Sequence, residues 1–317
     1  MKRVLITGAT GYIGRWSVPA AMARGFDVHT VGTRRAGAEN PLPGELDGAS
    51  HHATDLFDRE AVAGLVEQIR PTHLLHFAWN ATPGVYWTTP ENFRWVSASL
   101  DLLETFHRAG GDRAVMAGSC AEYDWSAAGI CHEFHTPLAT DGGRQATPYA
   151  TAKIALQKML DSYGRQEGLS TAWGRIFFQF GPYEHPARLI ASVINALLAG
   201  REAQCTAGQQ TRGFLHTADV GDAFAALLDA DVQGPVNIGS DTPVTIAEVV
   251  RTIGEIMGKP DLIGLGKRET PASEPPLLLP DARRLRDEVG WRPGRSLRAG
   301  LEDVVGWWRD NQAVKSG

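Results

Sequence analysis

The chain has little cysteine, no long run of one charge sign and no long apolar stretch. Its three cysteines, Cys120, Cys131 and Cys205, make no C-x-x-C pair and no zinc spacing. That pattern offers neither a disulfide framework nor a metal site, and it suits a reducing, cytoplasmic setting. No apolar run approaches the roughly 20 residues of a membrane helix. Lys2-Arg3 before Val4-Leu5-Ile6 looks superficially like the start of a signal peptide, but the run ends at Thr7-Gly8, too short for an h-region. A formal net charge of −5 argues against nucleic-acid binding as the main task, because such proteins concentrate Lys and Arg. Arg34-Arg35 and Arg283-Arg284 remain as local phosphate-site candidates. There is no internal repeat and no low-complexity tail.

What is present is the alternation of a layered α/β protein. With 317 residues, 43% of them hydrophobic, the chain can bury a sizeable core as one large domain or two unequal lobes. Apolar, β-branched runs at Arg3–Thr7, Asp27–Gly32, Thr72–Phe77, Arg113–Ala117 and Ser170–Phe178 read as strands, with a shorter one near His51–Asp55. Helical patterns at Tyr12–Arg24, Arg59–Ile69, Asn92–Ala109 and Tyr149–Glu167 lie between them. Strands that are apolar on both faces, alternating with helices, imply a parallel sheet covered on both sides: a Rossmann-type, doubly wound α/β fold. After Phe180-Gly181-Pro182 the pattern changes. Helices are expected at Ala187–Ala199, Asp219–Leu228, Thr245–Met257 and Leu297–Arg309, and strands near Glu202–Thr206 and Pro235–Gly239. Thr245 followed by Glu248 is a capping box. The expected plan is a dinucleotide-binding lobe over 1–180 with segments near 214–239, and a smaller interleaved substrate lobe from 181–213 and 240–317.

Gly8, Gly11 and Gly14 follow the first strand in the stretch Thr7-Gly8-Ala9-Thr10-Gly11-Tyr12-Ile13-Gly14. At this spacing they suit a tight turn, backbone approach to a pyrophosphate, and close packing of helix on strand. The N–H groups and dipole at the helix start favour phosphate charge. Thr10, Tyr12 and Ile13 complete this cofactor-binding turn. The second strand ends Val31-Gly32-Thr33-Arg34-Arg35, with no carboxylate for a ribose 2′-hydroxyl. Thr33, Arg34 and Arg35 therefore favour a 2′-phosphate, hence NADP(H) with NAD(H) as the alternative; a solvated basic loop would look the same. Asp55-Leu56 after the third strand and Phe77-Ala78-Trp79 after the fourth fall at the ligand-binding edge. His76 reads as structural, since no partner carboxylate is evident.

Tyr149 and Lys153 stand four apart on one helix face. An ammonium beside a phenol favours the phenolate and lowers its pKa toward working pH, which makes Tyr149 a candidate proton donor or acceptor. The spacing alone is common on exposed helices, so the pair draws its meaning from the glycine turn upstream.

Taken together these residues resemble the extended short-chain dehydrogenase/reductase family, also called the NAD-dependent epimerase/dehydratase family, in its nucleotide-sugar-modifying branch. The resemblance rests on the glycine turn, Asp55-Leu56, His76–Ala78, Ser119, and Tyr149 with Lys153. It extends through Arg175 to Pro182, Arg212 to Val220, and Trp291-Arg292-Pro293, and so spans almost the whole chain. It implies that Ser119 and Tyr149 hydrogen-bond the substrate oxygen, and that Lys153 binds the nicotinamide ribose and lowers the Tyr149 pKa. It implies further that hydride moves between cofactor and substrate carbon. On the substrate side it points to Gln179, Arg188 and Arg212, the two arginines as diphosphate donors. Thr82, with Tyr86 and Trp87 nearby, falls in a loop suited to lining a sugar pocket. A homodimer through the helices near 92–109 and 149–167 is the expected assembly.

Departures from the family pattern narrow the chemistry. The acidic pair that dehydratases carry after the catalytic hydroxyl is replaced by Cys120 and Ala121, and Glu122 falls one place later. The relay Asn position is Trp95, and the Asn of the R-x-x-N motif is Gln179. The expected activity is NADP(H)-dependent reduction of a nucleotide-linked 4-keto-6-deoxy sugar. The alternatives are an NAD-dependent nucleotide-sugar 4-epimerase, reduction of a free carbonyl metabolite, and a non-catalytic NADP-binding regulator.

Overall fold

The structure is a computed structural model that describes residues 2–33, 42–127, 129–140, 146–271 and 274–313. In chain order the strands are β1 Arg3–Thr7, β2 Asp27–Gly32, β3 Ser50–Ala53, β4 His73–His76, β5 Arg113–Ser119, β6 Ile130–Cys131, β7 Ser170–Ile176 and β8 Gln179–Phe180. They continue as β9 Ala203–Gln204, β10 Thr211–Arg212, β11 Leu215–His216, β12 Gly234–Ile238, β13 Val244–Thr245, β14 Ile263–Gly264 and β15 Leu277–Pro280. The helices are α1 Gly14–Ala23, α2 Arg59–Ile69, α3 Glu91–Arg108, α4 Pro148–Glu167, α5 Leu189–Leu198, α6 Thr217–Asp229, α7 Ile246–Ile256 and α8 Leu297–Ala313.

Seven strands pair in the order β12-β7-β5-β4-β1-β2-β3, every ladder parallel. The β1 residues show why both faces must be covered. Val4 and Ile6 enter a core under α1 and α6 with Val18, Ala223 and Phe224. Leu5 enters the opposite core with Val62, Leu103, Phe106, Leu156 and Trp173. Alternation along a strand sends neighbours to opposite faces, so a strand apolar throughout needs a helix layer on each side. The strand order reverses between β1 and β4, and the carboxyl ends there part to leave a crevice.

The chain after β7 builds a third core from α5, α7 and α8 around Phe180, Ile194, Val250 and Leu301. A four-stranded sheet in the order β13-β10-β15-β6 lies beside it. β6 belongs to this small sheet although its residues fall within 1–180, and β12 returns to the large one. Arg113, at the start of β5, ties α6 to the sheet: its guanidinium donates to the Leu227, Leu228 and Val232 carbonyls at 2.8, 3.0 and 2.7 Å.

The expected elements are present with shifted ends. α1 begins at Gly14 rather than Tyr12, because Gly11 N–H donates to the Gly8 carbonyl at 2.9 Å and holds Tyr12 and Ile13 in the turn. The run Ser170–Phe178 is shortened: β7 ends at Ile176, and Gln179–Phe180, just beyond the run, pairs with β11 outside the large sheet. The capping box of α7 forms, with Thr245 Oγ1 accepting from Glu248 N and Glu248 accepting from Thr245 N. Among the described residues no helix is long and apolar enough to cross a membrane.

Candidate active site

A cleft of about 1030 Å³ opens at the β1/β4 crevice and runs toward β10 and α5. Its floor is the glycine turn. Gly8 has φ +68°, and a Cβ there would sit 2.8 Å from Ala78 N; a Cβ on Gly14 would sit 2.3 Å from the Gly8 carbonyl oxygen. Only glycine allows these backbones to approach. Ile13 caps α1 with no side-chain hydrogen bond, and Trp16 N–H turns back to the Ile13 carbonyl at 3.1 Å, so the N–H groups at the helix start are left uncapped by a side chain. This cradle fits a dinucleotide pyrophosphate in donor chemistry and in space. Gly8, Thr10, Gly11, Tyr12, Ile13, Gly14, Thr33, Asp55, Leu56, Phe77, Ala78 and Trp79 all line the cleft. Arg34 and Arg35 lie outside the described residues.

Ser119, Tyr149 and Lys153 converge on the same cleft from two elements. Ser119 ends β5 and caps the turn that follows: its hydroxyl accepts from Ala121 N at 3.2 Å, and its N–H donates to Glu122 Oε1 at 2.7 Å. Tyr149 enters with the first turn of α4, which Thr147 caps by accepting from Ala150 N. The Ser119 side chain lies close enough to Tyr149 to favour its ionised form.

The lysine does not do what the four-residue spacing implies. Lys153 Nζ donates to the Ala117 carbonyl at 2.9 Å and stands 3.7 Å over the centre of the Trp79 ring. Burial pushes its pKa down to about 7, partly opposed by Glu122. Burial likewise raises the Tyr149 phenol, the Ser119 hydrogen bond offsetting only part of the shift. The expected lowering of Tyr149 by Lys153 does not appear: desolvation penalises both charged forms and is the largest cause of each shift.

Aromatic rings enclose the phenol. Tyr86, Trp87 and Trp79 lie 4.8, 5.8 and 6.3 Å from the Tyr149 ring, and Trp125 packs edge-on to Trp87. Trp95, at the position of the customary Asn, packs on Trp79 and donates to Glu91. His76 is held between Thr7 Oγ1 and Ser99 Oγ, both at 2.8 Å, and burial pushes its pKa down to about 3; it is structural, as expected. Glu122 turns into the core, where it accepts from Trp173 Nε1 at 3.0 Å and Arg175 Nε at 2.7 Å.

On the substrate side Gln179, Arg188 and Arg212 line the cleft. Thr82 does not: it is exposed, and its hydroxyl and N–H are engaged with Asn80 Oδ1 at 2.8 and 3.1 Å. Arg212 is 2% exposed and pairs with Glu274 at 2.8 Å. Nothing in the sequence signals that pair, which joins residues 62 apart. Glu184 also lines the cleft without having been singled out; a lone carboxylate in a loop carries no pattern.

The chain is 26% identical over 314 residues to UDP-glucuronic acid decarboxylase 1 of Xenopus tropicalis, covering 97% of this chain and 72% of that one. It is 25% identical over 328 residues to UDP-glucose 4-epimerase of Rhizobium meliloti, covering 96% of each. The crystal structure of Thermus thermophilus UDP-glucose 4-epimerase in complex with NAD superimposes with a TM-score of 0.78 at 26% identity, covering 97% of this chain and 99% of that one. Residues 4–239 match the sequence profile of the NAD dependent epimerase/dehydratase family, and the chain belongs to that family of enzymes.

Proposed function

We propose that this enzyme interconverts the two configurations at one carbinol carbon of a nucleotide-linked sugar, as a 4-epimerase does. The observation that carries this is the acid–base inventory around Ser119. Behind it come Cys120 and Ala121, both buried and neither acidic, while Glu122 faces Arg175 in the core. Among the described residues the carboxylates lining the cleft are Asp55, Glu184 and Glu274, none adjacent to Ser119. Elimination or decarboxylation needs a further base or acid at a neighbouring carbon; redox at a single carbon needs only the Ser119–Tyr149 pair.

A nicotinamide dinucleotide in the cradle supplies the hydride acceptor and donor. The glycine turn and the α1 N-terminus bind its phosphates, and Lys153 donates to its ribose. Ser119 orients the substrate oxygen. Tyr149 accepts the proton of that oxygen and later returns it. The wall of Trp79, Tyr86, Trp87 and Trp125 excludes water and packs on sugar C–H faces. Arg212 and Arg188 serve the substrate diphosphate.

Purified enzyme with UDP-glucose, UDP-galactose and their N-acetyl forms tests this reading directly. Expected are equilibration of a sugar pair without added cofactor and release of NAD on denaturation. Failure to equilibrate any pair, with NADPH-dependent loss of a nucleotide 4-keto-6-deoxy sugar, would favour the second reading, net reduction. That reading draws on the carboxylate-free end of β2, where Thr33 precedes Arg34 and Arg35. Three free, buried cysteines support a reducing, cytoplasmic setting.

A further inference from the structure

The segment after β8 makes an unusual effort to bring one carboxylate inside. Tyr183 holds φ +67°, a left-handed conformation that side chains disfavour. Its ring is clamped by the Arg15 guanidinium at 3.7 Å and by Trp307 at 4.8 Å. The bend delivers Glu184 into the cleft, where it is 4% exposed and its Oε2 has no hydrogen-bond partner. The Tyr12 hydroxyl, from the glycine turn itself, is also buried without a partner and feels the Glu184 charge. Two unpartnered buried oxygen atoms on one cleft wall, beside the phosphate cradle, are costly unless a ligand satisfies them.

We propose that Glu184, together with Tyr12, is a proton-accepting part of the dinucleotide site: cofactor binding drives a proton from solvent onto the Glu184 carboxylate, and the neutral acid then donates to the bound ligand. This rests on reading the cleft as a dinucleotide site. The physical reason is like charge. A pyrophosphate at the α1 N-terminus and an ionised carboxylate on the same wall repel in a poorly hydrated space, and protonation removes the repulsion while creating a donor. The free protein is already poised for it, since burial pushes the Glu184 pKa up to about 7 against the opposing charge of Arg188 and the Ala191 backbone N–H.

The charged groups around Glu184 do not supply the proton instead. Tyr12 has a pKa raised well above its ordinary value and stays neutral. Arg188 stands at the N-cap of α5, and Arg15 is engaged on Tyr183. His185 Nδ1 accepts from Ala187 N at 3.2 Å. Lys153, across the cleft, does titrate near neutrality and has to be separated by experiment.

Calorimetric titration of NADH and NADPH in buffers of different ionisation enthalpy counts protons taken up per cofactor, after removal of any carried nucleotide. At pH 8 the wild type is expected to take up about one proton more than Glu184→Gln, and the difference to vanish near pH 5.5. Lys153→Met keeps the Glu184 proton. Wild-type affinity falls by up to about tenfold per pH unit above 7, and in Glu184→Gln that part of the slope is lost. Saturable binding with no proton uptake in the wild type, or with equal uptake in Glu184→Gln, would overturn this inference alone. No saturable binding of either cofactor at any pH would overturn the dinucleotide reading, and the inference with it.

Discussion

An ammonium over the Trp79 indole and a phenol against Tyr86 have both left water, and desolvation pushes each toward its neutral form. Above about pH 7 the free enzyme loses the Lys153 charge, so cofactor binding that relies on this donor weakens as pH rises. Tyr149→Phe is expected to lower kcat by about 10²–10⁴ while leaving cofactor affinity and Tm nearly unchanged, because it deletes one proton-transfer group and no packing. An equal loss of cofactor binding would show the residue to be a structural post. His76 yields a stability prediction. In the unfolded chain its imidazole takes a proton below about 6.5, in the folded protein only near 3. Stability is thus lost as pH falls through that window, by an amount on the order of 4 kcal/mol. Urea unfolding of His76→Gln at pH 7 and pH 4 should show a smaller acid penalty than the wild type. Ser119, Tyr149 and Lys153 were legible as residues, but the direction in which burial moves the protonation of Tyr149 and Lys153 was not, since it depends on aromatic rings contributed by separate segments.

At the scale of elements, the turn into α1 and the pairing of β10 carry the binding predictions. Gly14→Ala forces a Cβ against the Gly8 carbonyl, and the cradle must open. Cofactor binding, followed by NADH fluorescence, should be abolished, with a stability loss of about 1–3 kcal/mol by urea titration. Arg212, at the end of β10, is held by the 43%-exposed Glu274. A diphosphate must exchange for that carboxylate, so Glu274→Gln should tighten UDP binding by about three- to tenfold in calorimetry; unchanged affinity would mean that Arg212 does not meet the phosphates. Long elements were legible because hydrophobic period, glycine spacing and the Thr245/Glu248 capping box act locally. The two-residue strands β6, β8–β11, β13 and β14 were mostly not, because so short a segment has no period and forms only where a distant partner meets it.

For the whole molecule, we propose the lobe division 1–180 with 214–239 against 181–213 with 240–317, with β6 as an exchange into the smaller sheet. Phe93 on α3 and Met159 on α4 are exposed at 61% and 47%, and we propose that two copies pair across these helices. Light scattering on Phe93→Asp/Met159→Asp should report a monomer where the wild type is a dimer. The sequence by itself determined the class of fold and the glycine turn, and it singled out Ser119, Tyr149 and Lys153, which the fold brings to one cleft, because each is written in local spacing and residue chemistry. Only the tertiary structure decided that Lys153 lies on Trp79, that Glu122 faces inward, that Arg212 is already paired and that Glu184 is buried at the phosphate end. Those outcomes depend on which distant side chains share a desolvated space, and burial and charge in that space are properties of the packed whole.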